Sequence, residues 1–356
     1  MILVTGGAGF IGANFVLDWL AQSDEPIVNV DKLSYAGNLE NLRALQGDAR
    51  HHFVQADIAD QALIGQILAQ YQPRAVLHFA AESHVDRSIA GAGAFIQSNI
   101  VGTFALLEAV RLYWAQLPVA AQTSFRWLHV STDEVFGSLA AAEKPFTEDS
   151  RYAPNSPYAA SKAASDHLVR AWHQTYGLPV ITTHCSNNYG PMQFPEKLIP
   201  VVLSRALAGK PLPLYGDGLQ VRDWLYVADH CSALRHILAA GAVGATYNIG
   251  GQCEMSNLAL VQTLCRMLDQ LQPSADGMSY ARQITHVPDR LGHDRRYAID
   301  ARKLQQELAW TPSHDLESGL WHTVQWYLSH RDWVDQAMAQ QAQTASRCAD
   351  HGANAP

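Results

Sequence analysis

The chain has 356 residues, a formal net charge of −8 and 48% hydrophobic residues, enough for a sizeable core in one large domain or two unequal ones. The acidic balance argues against nucleic acid as the main partner, while local arginines can still bind an anionic small molecule. The apolar run Met1–Val4 lacks the basic region of a signal peptide, and no stretch approaches the roughly 20 apolar residues of a membrane helix.

Cysteine and histidine usage predicts a cytoplasmic protein without a metal. The five cysteines are odd in number and include no Cys-x-x-Cys pair, so we expect reduced thiols. The sixteen histidines show neither His-x-x-x-His nor His-Glu-x-x-His spacing, so a metal site has no support in the sequence. We therefore expect no membrane partner, no nucleic-acid partner and no metal cofactor.

Short apolar runs alternate with helical patterns through the first half of the chain. Strands are predicted at Ile2–Thr5, Ile27–Val30, His52–Gln55, Ala75–Phe79 and Trp127–Val130, with helices near 10–22, 60–71 and 93–115. A helix near 157–177 and a strand near 179–184 follow. Such alternation predicts an α/β fold, a Rossmann-type doubly wound parallel sheet that binds ligands beyond the carboxyl ends of its strands.

From about Tyr189 the alternation breaks into segments rich in proline and glycine. The later elements are mixed, with a helix near 196–208, a strand near 246–249 and helices near 256–271 and 314–328. We predict a dinucleotide-binding domain over 1–190, to whose sheet later segments return, and a smaller mixed α/β substrate-binding lobe mainly over 191–335. The small, polar tail over 341–356 is predicted to be disordered.

Gly6, Gly9 and Gly12 directly follow the first predicted strand and open a helix. A turn of this kind directs free backbone N–H groups and the positive end of the helix at a pyrophosphate. A glycine-rich turn without a ligand is the alternative. The strand–turn–helix context and an acid about 20 residues downstream favour a dinucleotide site.

The downstream acid is Asp31, at the end of the second predicted strand. A carboxylate there accepts hydrogen bonds from the adenine ribose and repels a 2′-phosphate, so NAD is favoured over NADP. Lys32 weakens this preference slightly, and a turn or helix cap is the alternative role of Asp31. The next two strand ends supply further predicted cofactor contacts, namely Asp57, Ile58, Phe79, Ala80 and Ala81.

Tyr158 and Lys162 lie four residues apart in a helical pattern whose start is marked by Pro157, so their side chains share one face. The lysine charge is expected to favour tyrosinate and to lower the pKa of Tyr158. Tyr158 then accepts a hydroxyl proton while a hydride leaves for NAD. A chance surface pair is the alternative, which the position after the fifth predicted strand disfavours.

Thr132, Asp133 and Glu134 follow the fifth predicted strand, with Thr132 placed to bond the same hydroxyl as the tyrosine. Because consecutive strand residues face opposite sides, both acids reach one pocket only if the chain leaves extended geometry here, which we expect. Elimination beside a ketone requires a base and an acid. We assign Glu134 as the base and Asp133 as a protonated acid; an exposed acidic turn is the alternative.

These motifs resemble the extended short-chain dehydrogenase/reductase family and, within it, the dTDP-glucose 4,6-dehydratases, from Met1 to about Asp335. The resemblance rests on the stretches 31–38, 80–88, 131–135, 185–191 and 194–200. Epimerases of the family are similar in the glycine loop and the Tyr/Lys pair but lack the Asp-Glu pair. The chain departs from the family pattern at Leu291, where proline is usual.

The resemblance implies an NAD-dependent lyase acting on dTDP-glucose. Tyr158 would deprotonate the 4-hydroxyl as hydride leaves C4, Glu134 would remove the C5 proton, Asp133 would protonate the departing 6-hydroxyl, and the hydride would return to C6. Further cofactor contacts are implied from Phe10, Ile11, Leu33, Ser34, Ser83, Ser98 and Asn188, besides Tyr158 and Lys162. Substrate contacts are implied from Ser83, Thr132, Asn187, Glu196, Lys197, Leu198, Pro213, Tyr215, Arg222, Asn257, Asp289, Arg290, His293 and Tyr297.

Several alternatives stay open on the sequence alone. The guanidinium of Arg222 suits a diphosphate, but a surface salt bridge with Asp223 is also possible. The family implies a homodimer through the helices near 95–115 and 157–177, although apolar helix faces equally indicate core. A UDP-sugar 4,6-dehydratase or a nucleotide-sugar 4-epimerase remains an alternative function, because thymine and uracil differ by one methyl group. A non-enzymatic NAD-binding scaffold is disfavoured by the intact catalytic residues.

Overall fold

The computed structural model describes residues 1–339. Its strands are β1 Ile2–Thr5, β2 Ile27–Asp31, β3 His51–Gln55, β4 Ala75–His78, β5 Arg126–Thr132, β6 Val180–Cys185, β7 Asn187–Tyr189, β8 Leu212–Tyr215, β9 Val221–Tyr226, β10 Thr246–Ile249, β11 Glu254–Ser256 and β12 Ile284–Val287. Its α-helices are α1 Phe10–Gln22, α2 Gln61–Tyr71, α3 Val85–Ala90, α4 Gly93–Phe95, α5 Thr103–Ala115, α6 Val119–Ser124, α7 Pro157–Tyr176, α8 Leu198–Leu207, α9 Val227–Ala240, α10 Asn257–Leu271, α11 Arg302–Leu308 and α12 Leu316–Ser329. Residues 331–339 are also helical, and 3₁₀ segments occupy Leu39–Leu45, Asp133–Phe136 and Tyr280–Gln283.

The main sheet contains seven parallel strands in the order β10-β6-β5-β4-β1-β2-β3. Helices α1 and α9 cover one face, where Phe15 and Leu234 lie in the core, and α2, α5 and α7 cover the other, around Leu106 and Val169. Burial of both faces explains why the strands read as continuous apolar runs. The predicted Rossmann-type fold is confirmed, and its first six strands lie within two residues of their predicted bounds.

The second half of the chain both builds a separate lobe and completes the main sheet. Strand β10 pairs in parallel with β6, with Thr246 opposite Thr182, so a later segment returns to the sheet as expected. Segments before and after β10 form two small sheets, β11-β9-β7 and β12-β8, packed with α8, α10 and α12. The division into 1–190 and 191–335 stays a prediction, and the predicted disordered tail over 341–356 lies outside the described residues.

The helix predicted near 93–115 is present but changes its winding. A turn of α4 leads into a π-helical segment, Ile96–Gly102, which continues as α5. The expectation that no segment is apolar enough to cross a membrane is wrong here, since Gly93–Ala115 meets the length and hydropathy criteria. Because 56% of its most apolar 18-residue stretch is buried within the fold, as in the core helix of a soluble protein, this is weak evidence for a membrane span.

Candidate active site

A deep cavity opens where the parallel strands of the main sheet end, as expected for a doubly wound sheet. Most of the predicted site residues line it. These are Gly6, Gly9, Phe10, Ile11, Gly12, Asp31, Lys32, Ser34, Asp57, Ile58, Phe79, Ala80, Ala81, Ser83, Ser98, Thr132, Asp133, Glu134, Tyr158, Lys162, Asn187, Asn188, Glu196 and Lys197.

Other lining residues were not predicted as site residues, among them Ser131, Cys185, Ser186, Gln193 and Phe194. All of these but Gln193 lie within the stretches that carry the family resemblance, and Gln193 directly precedes one of them. The predicted residues that do not line this cavity are Leu33, Leu198, Pro213, Tyr215, Arg222, Asn257, Asp289, Arg290, His293 and Tyr297. Except for Leu33, these belong to the second lobe.

The glycine loop between β1 and α1 fits a pyrophosphate. Gly6 has a φ of +74°, and a Cβ there would lie 2.6 Å from the backbone N of Ala80. A Cβ on Gly12 would lie 2.2 Å from the carbonyl oxygen of Gly6, so the helix can start this close to the turn only with glycine. No side chain caps α1, and its first turn holds no acid. The first N–H groups of the helix are therefore directed at the cavity and remain available to an anion.

Asp31 is fixed at the end of β2 by two backbone hydrogen bonds. Its Oδ2 accepts from Ala8 N at 3.0 Å and its Oδ1 from Leu33 N at 2.8 Å, which explains why Leu33 supports the site without lining it. Burial raises the pKa of Asp31. Lys32 donates to Ser98 Oγ at 3.0 Å and lies 3.6 Å from the Asp57 carboxylate, which balances its positive charge.

Tyr158 and Lys162 enter the cavity from the first turns of α7, which begins with Ser156 as N-cap and Pro157 at the first position. Lys162 Nζ donates to the carbonyl oxygen of Val130 at 2.9 Å. The expectation of a lowered tyrosine pKa is wrong for this structure. Burial, followed by the Glu134 carboxylate, raises the pKa of Tyr158 well above its ordinary value, and a hydrogen bond with Thr132 only partly opposes this.

The two acids reach the same cavity because β5 stops at Thr132. The next residues form a 3₁₀ turn, Asp133–Phe136, whose N-cap is Thr132; its Oγ1 accepts from Glu134 N at 3.3 Å. The predicted departure from extended geometry is therefore confirmed. Gly137, with a φ of +87°, ends the turn close to the carbonyl oxygen of Ala153.

The surroundings of the two acids differ in a way that separates their protonation. Asp133 is buried, its Oδ2 has no hydrogen-bond partner among residues 1–339, and burial and the Glu134 charge raise its pKa well above the ordinary value. Glu134 is half-buried, and burial also raises its pKa, but Lys197, Arg290 and Arg222 oppose that rise. Asp133 is thus suited to act as the protonated acid, and Glu134 is suited to act as the ionised base.

Arg222 of β9 lies buried in the second lobe. Its guanidinium stacks 4.3 Å from the centre of the Tyr297 ring and donates to the backbone oxygens of Val221 and Asp294. The alternative of a surface salt bridge with Asp223 is wrong, because Asp223 instead accepts from Cys253 N at 2.8 Å.

The loop over 288–297 brings further polar groups beside this arginine. Arg290 lies 3.5 Å from the Asp86 carboxylate, and His293 Nδ1 lies 2.6 Å from Asp289 Oδ1. The ring of His293 also meets that of Tyr215 edge-on, at 6.2 Å between centroids. The cations near Glu134 are Arg222, Arg290 and Lys197, and together they suit a diphosphate.

Comparisons with known proteins agree with this geometry. The family model described as GDP-mannose 4,6 dehydratase matches residues 3–323. A dTDP-glucose 4,6-dehydratase of Xanthomonas campestris pv. campestris (strain B100) is 62% identical over 332 residues, which cover 93% of this chain and 94% of the relative. The crystal structure of a dTDP-glucose 4,6-dehydratase from Bacillus anthracis in complex with NAD matches with a TM-score of 0.83 at 44% identity, covering 94% of this chain and 99% of that chain. A Thermotoga maritima UDP-glucose 4-epimerase structure with UDP-glucose has a TM-score of 0.81 at 28% identity, covering 92% and 98%.

Proposed function

The chain belongs to the dTDP-glucose 4,6-dehydratase family, and from this premise we propose that it converts dTDP-glucose into dTDP-4-keto-6-deoxyglucose with NAD as a recycled cofactor. The observation that carries the proposal is the meeting of Asp133 and Glu134 with Tyr158 and Lys162 in one cavity beside the glycine loop. An epimerase needs a site for hydride transfer, but it has no use for a second acid that is held protonated.

The first step is oxidation at C4 of the glucose ring. Bound NAD supplies the acceptor for the C4 hydride and afterwards the donor of the same hydride to C6. Tyr158 takes the proton of the 4-hydroxyl, and Thr132 orients that hydroxyl. The buried Lys162 ammonium favours the tyrosinate by its charge, although the surrounding burial raises the tyrosine pKa.

The second step eliminates water across C5 and C6. The new C4 ketone acidifies the C5 proton, which Glu134 removes, while Asp133 gives its proton to the departing 6-hydroxyl. In the third step the hydride reaches C6, and protonated Glu134 returns a proton to C5. Glu134 thereby returns to its starting state, whereas Asp133 has lost a proton and Tyr158 has gained one. The cycle closes when a proton passes from Tyr158 to Asp133, directly or through solvent.

The second lobe would hold the nucleotide diphosphate. Arg222 and Arg290 supply the positive charge, and Lys197, which donates to the backbone oxygen of Ser83 at 2.9 Å, links the lobe to the end of β4. We propose the division of labour predicted from the sequence, with 1–190 binding the dinucleotide and 191–335 mainly binding the sugar nucleotide.

The purified protein should produce the 4-keto-6-deoxy sugar nucleotide when incubated with dTDP-glucose. Product formation is followed by NMR, first without and then with added NAD, and in parallel with UDP-glucose. Turnover without added NAD would show that the cofactor stays bound between cycles. Absence of product from dTDP-glucose with NAD supplied would overturn the proposal, and product from UDP-glucose alone would transfer it to UDP-sugars.

Replacing Asp31 with Asn should weaken NAD binding by about tenfold or more and reduce the preference for NAD over NADP. A hydrogen bond to a charged acceptor contributes roughly 1.5–3 kcal/mol, and the neutral amide no longer repels a 2′-phosphate. Calorimetric titration with both dinucleotides measures the two affinities. The control is Asp60→Asn, since Asp60 caps α2 outside the cavity. An unchanged ratio of the two affinities in Asp31→Asn would refute the assignment.

We also propose that the protein is a cytoplasmic homodimer. Exposed apolar side chains on the outer face of the 93–115 helix support the dimer, with Val101, Phe104 and Leu112 each at least 40% exposed. The cysteines within residues 1–339 are free, as a reducing compartment requires. Phe104→Asp is expected to shift the protein from dimer to monomer in light scattering, whereas Val119→Asp, on an exposed apolar residue of α6, should not. If the protein without substitutions is itself a monomer in light scattering, the proposal is contradicted.

A further inference from the structure

A buried polar cluster lies one helical turn after Lys162 on α7. Its centre is Asp166 of α7, whose Oδ1 lies 3.0 Å from His129 Nε2. Its Oδ2 accepts from Ser131 Oγ at 2.9 Å and from Tyr152 OH at 3.1 Å, and lies 3.2 Å from His184 Nε2. Four side chains from β5, β6 and the loop before α7 therefore converge on one carboxylate, and none of these contacts takes part in the reaction steps above.

Two histidines contact this carboxylate, and His129 does not neutralise it. Each directs Nε2 at Asp166, and each has a buried Nδ1 without a hydrogen-bond partner among the described residues. A second proton on Nδ1 would bury an unpaired charged donor, which is costly. Burial also lowers the pKa of His129 to about 4, and the hydrogen bonds of the cluster hold the pKa of Asp166 below its usual range. Asp166 thus keeps its negative charge in the protein interior.

The cation that matches this charge is Lys162. Tyr158, Lys162 and Asp166 follow one another at intervals of four residues on α7, so they lie along one face of the helix. Lys162 is 5% exposed, and its hydrogen bond goes to a neutral carbonyl oxygen. A buried ammonium without a counter-charge is unfavourable, and the adjacent carboxylate removes that difficulty.

We propose that Asp166 is a positioning residue for the dehydratase reaction, serving as the counter-charge of the Lys162 ammonium and as the anchor of α7 on β5 and β6. The inference rests on the proposed function of the same site. Its hydrogen bond from Ser131 holds the residue that precedes Thr132, and its contact with His184 holds the residue that precedes Cys185. Helix α7, which bears Tyr158, is thereby fixed against strand β5, which leads into the turn that bears Asp133 and Glu134.

The proposal predicts that kcat falls at high pH. Burial lowers the pKa of Lys162, and the Asp166 charge opposes that fall. As the pH rises through the lysine pKa, the ammonium is lost, tyrosinate is no longer favoured, and kcat should fall. The titratable groups that face Lys162 and Asp166 from the packed elements are Tyr158 of α7, His78 of β4, His129 of β5, His184 and Cys185 of β6, and Tyr152 of the loop before α7.

The test compares kcat–pH profiles of the unchanged protein, Asp166→Asn and Tyr152→Phe. Asp166→Asn should move the alkaline limb to lower pH by about one unit or more, because loss of a nearby opposite charge in a buried site shifts a lysine pKa on that scale. Tyr152→Phe removes the contacts of its hydroxyl with Asp166 Oδ2 and with His184 Nε2 but keeps the charge of Asp166, so its limb should not move. An equal shift in both variants, or a uniform loss of kcat in Asp166→Asn with an unmoved limb, would overturn the proposal.

A second measurement does not depend on turnover or on the folding of Asp166→Asn. Carboxylate NMR of ¹³C-aspartate-labelled protein, with and without Lys162→Met, follows the titration of Asp166 directly. Loss of the ammonium should raise the pKa of Asp166, whereas an unchanged titration would refute the pairing. If the unchanged protein makes no product from dTDP-glucose, the proposed function fails, while this titration still decides whether the two charges are coupled.

Discussion

Replacing Tyr158 with Phe is expected to lower kcat by about 10²- to 10⁴-fold, the range lost when a positioned acid–base group is removed. The substitution keeps the ring and its edge-on contact with Phe95, at 6.3 Å between centroids, and deletes only the hydroxyl that takes the sugar proton. Product formation from dTDP-glucose, measured by NMR under saturating conditions, gives the change. Dinucleotide affinity and the melting temperature should stay close to those of the unchanged protein.

The pH profile adds a second criterion for the same residue. Since only tyrosinate accepts the proton, kcat of the unchanged protein should decline toward acid pH as less of Tyr158 is ionised. This acid limb should be missing from the residual activity of Tyr158→Phe. Tyr176→Phe, at the exposed end of the same helix, is the matched control and should retain kcat. Near-normal activity of Tyr158→Phe would exclude the tyrosine as the base.

Substituting Glu134 by Gln should stop the reaction after oxidation at C4 and lower product formation by about 10²-fold or more. The amide has the same shape but cannot remove the C5 proton. Asp133→Asn should lower product formation similarly for another reason, because the amide cannot protonate the departing 6-hydroxyl. Asn resembles the neutral carboxyl that the structure favours at Asp133, so the fold should tolerate it.

Deuterium exchange at C5 distinguishes the two blocked steps. In D₂O, Asp133→Asn should return substrate that carries deuterium at C5, because Glu134 still removes that proton before elimination fails. Glu134→Gln should return substrate without it. Glu143→Gln, on an exposed loop residue, serves as the matched control with normal product formation. Exchange in Glu134→Gln, or its absence in Asp133→Asn, would reverse or refute the acid and base assignments.

The catalytic residues show what a sequence can and cannot predict. The ends of β2 and β5 were predicted at Val30 and Val130, within two residues of Asp31 and Thr132, because parallel strands buried on both faces leave a clear apolar pattern. The turn that brings Asp133 and Glu134 together was predicted from the demands of the chemistry rather than from local propensity. The raised pKa of Tyr158 was not predictable, because it depends on burial and on a charge from another segment.

Long-range contacts account for most of what the sequence did not reveal. The spacing of Lys162 and Asp166 is visible in the sequence, but the convergence of His129 and His184 on that carboxylate requires the register of β5 and β6. The π-helical winding within 96–102 likewise has no local sequence signal, since its apolar composition is that of an ordinary buried helix. Side-chain networks and helix winding depend on tertiary packing, which local patterns do not encode.

The return of β10 to the main sheet has a consequence for how the protein is made. The ribosome must translate residues 190–245 before β10 can form. Until then, one edge of β6 remains unpaired. A fragment ending near residue 190 would keep that edge permanently and would be prone to pair with other chains. The main sheet is therefore not contiguous in synthesis, and it reaches its final form only after residues 191–249, which include the first elements of the second lobe, have been made.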